Sequence, residues 1–284
     1  MRGYALFAGC LIYARVPHIE DVSMRVLSRL GVRVERLSGF TCCPEPTLSR
    51  LFGRRLWYAL AARNLAVAEG AGLDVLTLCN GCNYTLLKVS EELRRDPELR
   101  ERVNEDLRLV GRQYGGRVEV KSVLRVLYEE VGEEGLRRAA VRPLEGLRVA
   151  VHHGCHIYDE LSLYDDVARP RAFKSLLSAV GCEVVDYDLE GLCCGAFIRP
   201  VDEGLSTMLV REKVEGAKRA GADCIAVTCP SCLIQLDATQ AVLSRRLGAE
   251  LRVPVLYLTQ VVGLSMGMED VGLRYHSVPV LKKA

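Results

Sequence analysis

The chain has 284 residues, of which 49% are hydrophobic and 26% charged, and its formal net charge is +2. That length suits two domains that each bury a core, and the composition excludes a disordered or low-complexity chain. A charge of +2 with no lysine or arginine cluster argues against nucleic acid as a partner.

In chain order, apolar runs predict strands near 4–8, 32–37, 74–78 and 118–121, and again near 147–152, 183–187, 224–228 and 253–257. Helix-length segments lie between them. Residues 48–72 repeat apolar side chains at three- and four-residue spacing, and glycines mark their end. Residues 86–114 are charged and helical in pattern, with a break at Asp96-Pro97. Strand–helix alternation of this kind predicts an α/β fold of two similar duplicated domains, 1–142 and 143–284. Each would be a small, mostly parallel sheet flanked by helices, with its cysteines at the carboxyl ends of the strands. The N-terminus has no signal-peptide pattern. The longest uncharged run near the end, 253–268, has 16 residues against the roughly 20 that a spanning helix needs. The expectation is a cytoplasmic protein without a transmembrane segment, or one peripheral to a membrane-bound complex.

The cysteines organise the chain. Ten of the twelve form one pattern that occurs twice: Cys10, Cys42-Cys43 and Cys79-x-x-Cys82, then Cys155, Cys193-Cys194 and Cys229-x-x-Cys232. The lone cysteine and the pair are separated by 31 and 37 residues, the pair and the CxxC by 35 and 34. Adjacent cysteines have Cα atoms about 3.8 Å apart, whereas a relaxed disulfide wants about 5.5 Å, so each pair needs other partners. Every cysteine group follows a strand and precedes a helix. In an open α/β sheet such loops converge on one site, and helix N-termini there favour thiolate. Five sulfurs per half is one more than a tetrahedral zinc or an ordinary cubane uses. On spacing alone the pattern serves an iron–sulfur centre, a zinc site or a redox dithiol.

The pattern resembles the cysteine-rich domain found twice in the B subunit of heterodisulfide reductase. The likeness spans nearly the whole chain and includes CCP in the first copy, CCGA in the second, ARNLAVAEGAGLDVLTLCNGC, RVNEDL and LTQVVGLSMGM. It implies two noncubane [4Fe–4S] clusters, one held by Cys10, Cys42, Cys43, Cys79 and Cys82, the other by Cys155, Cys193, Cys194, Cys229 and Cys232. Zn2+ at one site is the alternative. The resemblance also implies a catalytic role, the reduction or formation of a small-molecule heterodisulfide. Electrons would come from the C and A subunits of heterodisulfide reductase, which carry iron–sulfur clusters and flavin respectively. Similar domains occur in electron-relay or anchoring subunits of succinate, glycolate and lactate dehydrogenase complexes, which is the competing function.

Outside the ligand set, His153 and His156 are candidate proton donors to a product thiolate, and orienting the loop is their competing role. His152 is expected to pack at a strand end. Lys88 and Arg199 are candidate contacts for an anionic substrate group, or members of a solvated helix face. Cys182 and Cys224 are expected to be buried free thiols.

Overall fold

The computed structural model describes residues 3–47, 53–247 and 251–280. The first half runs β1 (Tyr4–Phe7), α1 (Cys10–Arg15), α2 (Pro17–Arg29), β2 (Val34–Glu35), α3 (Arg54–Gly70), β3 (Asp74–Thr77), α4 (Asn80–Arg95), α5 (Pro97–Arg108) and β4 (Val120–Ser122). It closes with α6 (Val123–Val126), a π turn at Leu127–Val131 and α7 (Gly132–Ala139). The second runs β5 (Arg148–His152), α8 (Tyr158–Leu161), α9 (Ala172–Ala179), β6 (Glu183–Val185), α10 (Glu203–Arg219), β7 (Cys224–Val227), α11 (Pro230–Leu247), β8 (Val255–Tyr257) and α12 (Leu258–Ser265).

The strands form two four-stranded sheets, ordered β2-β1-β3-β4 and β6-β5-β7-β8. Every pairing is parallel. Central strands read as unbroken apolar runs because helices cover both of their faces: YALF and CIAV are buried at every residue. The edge strand β2 is shorter than the sequence pattern implies, since only β1 pairs with it. In each sheet the chain leaves the first strand towards one edge and returns on its other side. The switch point between β1 and β3, and between β5 and β7, is where an open parallel sheet forms its crevice.

Local signals account for the helix limits. Asp96 ends α4 and caps α5, its side chain accepting from the Leu99 amide at 2.9 Å, with Pro97 at the first helical position. The predicted helix 48–72 begins at Arg54 among the described residues, and 48–52 lie outside them.

The halves exchange their closing helices. Helix α12 packs on α2, where the buried Ser23 and Thr259 hydroxyls lie 2.8 Å apart, and α7 packs on α9. Each sheet is therefore covered partly by the other half of the chain.

Candidate metal centre

Glycine ends the first strand of each half. Gly9 and Gly154 have φ of +84° and +80°, a region that side-chain-bearing residues avoid. A Cβ on Gly9 would sit 2.9 Å from Cys82 Sγ, and one on Gly154 would sit 3.0 Å from Asn80 Nδ2 and 3.6 Å from Cys232 Sγ. The bare backbone lets Cys10 and Cys155 turn back over the CxxC of the same half. The pair Cys42-Cys43 is held by Asn64 on α3, whose Oδ1 accepts from the Thr41 amide at 2.8 Å and whose Nδ2 donates to the Cys42 carbonyl at 3.0 Å. Each CxxC opens a long helix, α4 or α11, so amide N–H groups and the positive helix end point at its sulfurs.

All ten repeated cysteines line one cavity of about 260 Å³. Leu11, Pro46, Phe197 and Pro230 supply apolar wall, and Glu45 and His156 supply polar wall. Neighbouring thiols follow the same order in both halves. From the outside inwards these are Cys10, Cys42, Cys43, Cys82 and Cys79 in one, and Cys155, Cys193, Cys194, Cys232 and Cys229 in the other. The rows meet at their inner ends, where Cys79 Sγ lies 4.0 Å from Cys229 Sγ. Cys10, Cys42 and Cys155 are exposed at the outer ends, and Cys193 is half-buried.

The seam beneath the cavity is built from groups that join the halves. Asn80 donates to the His153 carbonyl at 2.9 Å and bonds Thr228 at 3.2 Å. The buried Tyr257 hydroxyl donates to the Leu78 carbonyl at 2.6 Å and reaches that of Thr228 at 3.1 Å.

Three sulfurs in the row hold their protons weakly, each between two that hold theirs tightly. Cys43 is held down at about 4 because Cys42 and Cys82 both donate to it. Cys193 falls to about 2 between Cys155 and Cys194, and Cys229 is lowered between Cys232 and Cys79. The donors rise correspondingly: Cys42, Cys79, Cys82, Cys155 and Cys232 upward, and Cys194 to about 12. Sulfurs this close cannot all be thiolates unless a cation sits among them. The residues therefore fit a multi-iron centre in each half, or a smaller zinc set.

His152 packs at a strand end as expected but also lies beside the sulfurs. It is buried at the end of β5, and neither ring nitrogen has a hydrogen-bond partner of ordinary geometry. A nitrogen of its ring, Cys194 Sγ and Cys232 Sγ all lie within 4.8 Å of one another. Burial lowers its pKa to about 3, so the imidazole is neutral. A strand-end histidine among apolar residues looks like packing in sequence, and only the tertiary fold brings its ring to the sulfurs.

The structure separates the other candidates. His156 lines the cavity with Nδ1 3.6 Å from Cys155 Sγ, its ring between Tyr84 and Phe197. His153 is buried behind the wall, its Nε2 3.6 Å from Glu190, among Phe173 and Tyr158. Lys88 is half-buried on α4 and does not line the cavity, and neither does the exposed Arg199, which lies 3.6 Å from Glu203. Cys182 and Cys224 are buried away from the cavity, their thiols pushed up by burial. Asn80, Tyr257 and Lys213 were not visible as site residues, because their partners come from distant segments.

Comparison with known proteins agrees with this geometry. The CCG cysteine-rich domain family matches twice, at residues 4–87 and 149–237. The chain is 35% identical to the B subunit of the ferredoxin/F420H2-dependent CoB-CoM heterodisulfide reductase of Methanosarcina acetivorans, over 98% of this chain and 94% of that one. It is 38% identical to a protein of Archaeoglobus profundus named for its likeness to the B subunit of heterodisulfide reductase, over 94% and 91%. It is 30% identical to the membrane anchor subunit of the 8-methylmenaquinol:fumarate reductase of Wolinella succinogenes, over 98% of both. A crystal structure of a hypothetical protein from Helicobacter pylori shares the fold, with a TM-score of 0.77 at 16% identity, covering 99% of this chain and 52% of that one.

Proposed function

Because the chain belongs to the family of heterodisulfide reductase B subunits, with its two CCG cysteine-rich domains, we propose that it is the disulfide-handling member of such a complex, acting between two noncubane [4Fe–4S] clusters. The observation that carries this reading is the single cavity walled by both cysteine quintets, with Cys79 and Cys229 4.0 Å apart at its base.

Cleaving a disulfide consumes two electrons and two protons and yields two thiols. Bound clusters would supply one-electron redox chemistry and thiophilic iron on both sides of the S–S bond. The chain supplies the rest. Cys10, Cys42, Cys43, Cys79 and Cys82 hold one centre, and Cys155, Cys193, Cys194, Cys229 and Cys232 the other. Leu11, Pro46, Phe197 and Pro230 give the cavity an apolar wall. His156, at the mouth beside Cys155, is placed to pass a proton from its ring to a departing thiolate. Lys88 and Arg199 stand off the cavity, so any contact they make is with the distal part of a substrate. Electrons come from partner subunits of the C and A type, since the chain carries no nucleotide or ferredoxin-type motif. Among the described residues no helix is long and apolar enough to cross a membrane, and docking would be cytoplasmic or peripheral.

The likeness to the Wolinella anchor protein favours a second reading, an anchoring or electron-relay subunit without substrate chemistry. Anaerobically prepared protein separates the two. Under the first reading it cleaves a disulfide at the expense of a reduced viologen. Cys194→Ala then retains about half the iron and loses two-electron turnover. An iron-loaded protein that passes electrons and cleaves none of a panel of disulfides is a relay. Full activity in Cys194→Ala would refute paired action.

A further inference from the structure

The repeat invites a residue-by-residue comparison of the two sites, and they are not electrostatically alike. Helices α3 and α10 are both 17 residues long, and their eleventh residues are Asn64 and Lys213. Both side chains reach back to a loop carbonyl near the cysteine pair: Asn64 to Cys42, Lys213 to Leu189. Asn64 is neutral. Lys213 is the one lysine or arginine buried among the described residues; burial lowers its pKa to about 8, opposed by the nearby Cys232, Cys194 and Cys193 sulfurs, so it carries its charge at neutral pH. The ends of β1 and β5 differ in the same sense. Phe7 packs against Phe40, whereas at the matching place His152 has a ring nitrogen within 4.8 Å of Cys194 and Cys232 Sγ. Glu45 places a carboxylate in the wall of the first site. Glu190, near the second, is paired with Lys174 at 2.8 Å.

We infer that Lys213 and His152 make the second site the higher-potential member of the pair, so that its centre takes up an electron before the first does. This rests on the iron–sulfur reading above. Reduction adds negative charge to a centre. A buried cation and a polar imidazole set beside ligand sulfur stabilise that charge more than the oxidised state, and an acidic wall does the opposite. Lys213 and His152 are thus positioning and tuning residues, not ligands of the pair as a whole. The duplication supplies two centres, and these substitutions give them an order.

Reductive titration of the full chain under anaerobic conditions, followed by visible absorbance and electron paramagnetic resonance, tests this. The wild-type protein should show two one-electron steps at least tenfold apart in equilibrium constant, equivalent to 59 mV. Cys43→Ala should keep only the upper step and Cys194→Ala only the lower. Lys213→Gln, which preserves a donor for Leu189, should lower the upper step at least tenfold and leave the lower one in place, while Lys213→Arg should restore it. His152→Phe should shift the same step in the same direction. Coincident steps in the wild type, an upper step that belongs to the first site, or equal shifts of both steps in Lys213→Gln would overturn the inference while leaving the clusters themselves in place. Protein without iron would overturn the reading beneath it, and the inference with it.

Discussion

Gly9 sits in a backbone region that essentially only glycine occupies, and a Cβ there would lie 2.9 Å from Cys82 Sγ. Gly9→Ala should therefore cost about 1–3 kcal/mol of strain and also displace Cys82 from the first site. Gly31 has a similar positive φ of +77° with open space around it, so Gly31→Ala should show the strain alone. Denaturant unfolding and iron analysis of the two variants check this: stability should fall in both, iron only in Gly9→Ala. At this scale the ten cysteines were legible because spacing survives without coordinates. Residues whose function lies in a partner from another segment were not. Lys213 reads as one more charged residue on a surface helix, and His152 as strand packing. Each acquires its role only when α10 or β5 is set against the cysteine loops.

At the scale of elements, the strand–loop–helix units place sulfur at the carboxyl end of six of the eight strands, and the alternating pattern was enough to foresee that. The exchange of α7 and α12 between halves was not foreseeable, because an apolar helix does not declare which sheet it will cover. One consequence is a buried carboxylate where α8 meets the start of α6. Glu160 accepts from the Ser122 amide at 2.8 Å. Burial raises its pKa from 4.5 to about 6, with Ser122 and Arg125 opposing the rise. The folded chain thus holds this proton more tightly than the unfolded chain. Stability from this group is greatest below pH 4.5 and falls as pH rises to about 6. The loss above that pH amounts to about 2 kcal/mol. Glu160→Gln keeps an acceptor without the charge. Its stability advantage over wild type should grow from near zero at pH 4 to about 2 kcal/mol at pH 7, measured by denaturant unfolding across that range. An advantage that does not change with pH would show that Glu160 is not titrating.

On the scale of the whole molecule, two similar halves share one cavity and one seam, so neither half makes the site alone. Tyr257 is the tightest fastener of that seam, since its one hydroxyl serves carbonyls from both halves, Leu78 and Thr228. Tyr257→Phe leaves those buried acceptors short of a donor. It should cost about 1–3 kcal/mol in a single cooperative unfolding transition. Two separate transitions, with only one of them shifted, would show that the halves unfold independently. Duplication and the β/α alternation could be read from the sequence. Repeat spacing alone does not say that the two quintets face one another, because it specifies each half and is silent on how the halves meet.

The central claim is that two iron centres confront each other across this cavity, and anomalous scattering from crystals of anaerobically prepared protein tests it most directly. Data collected on the two sides of the iron absorption edge should reveal two groups of about four irons each, one against each cysteine quintet, with the cavity between them. Signal at the zinc edge instead, or iron at one quintet alone, would contradict the account.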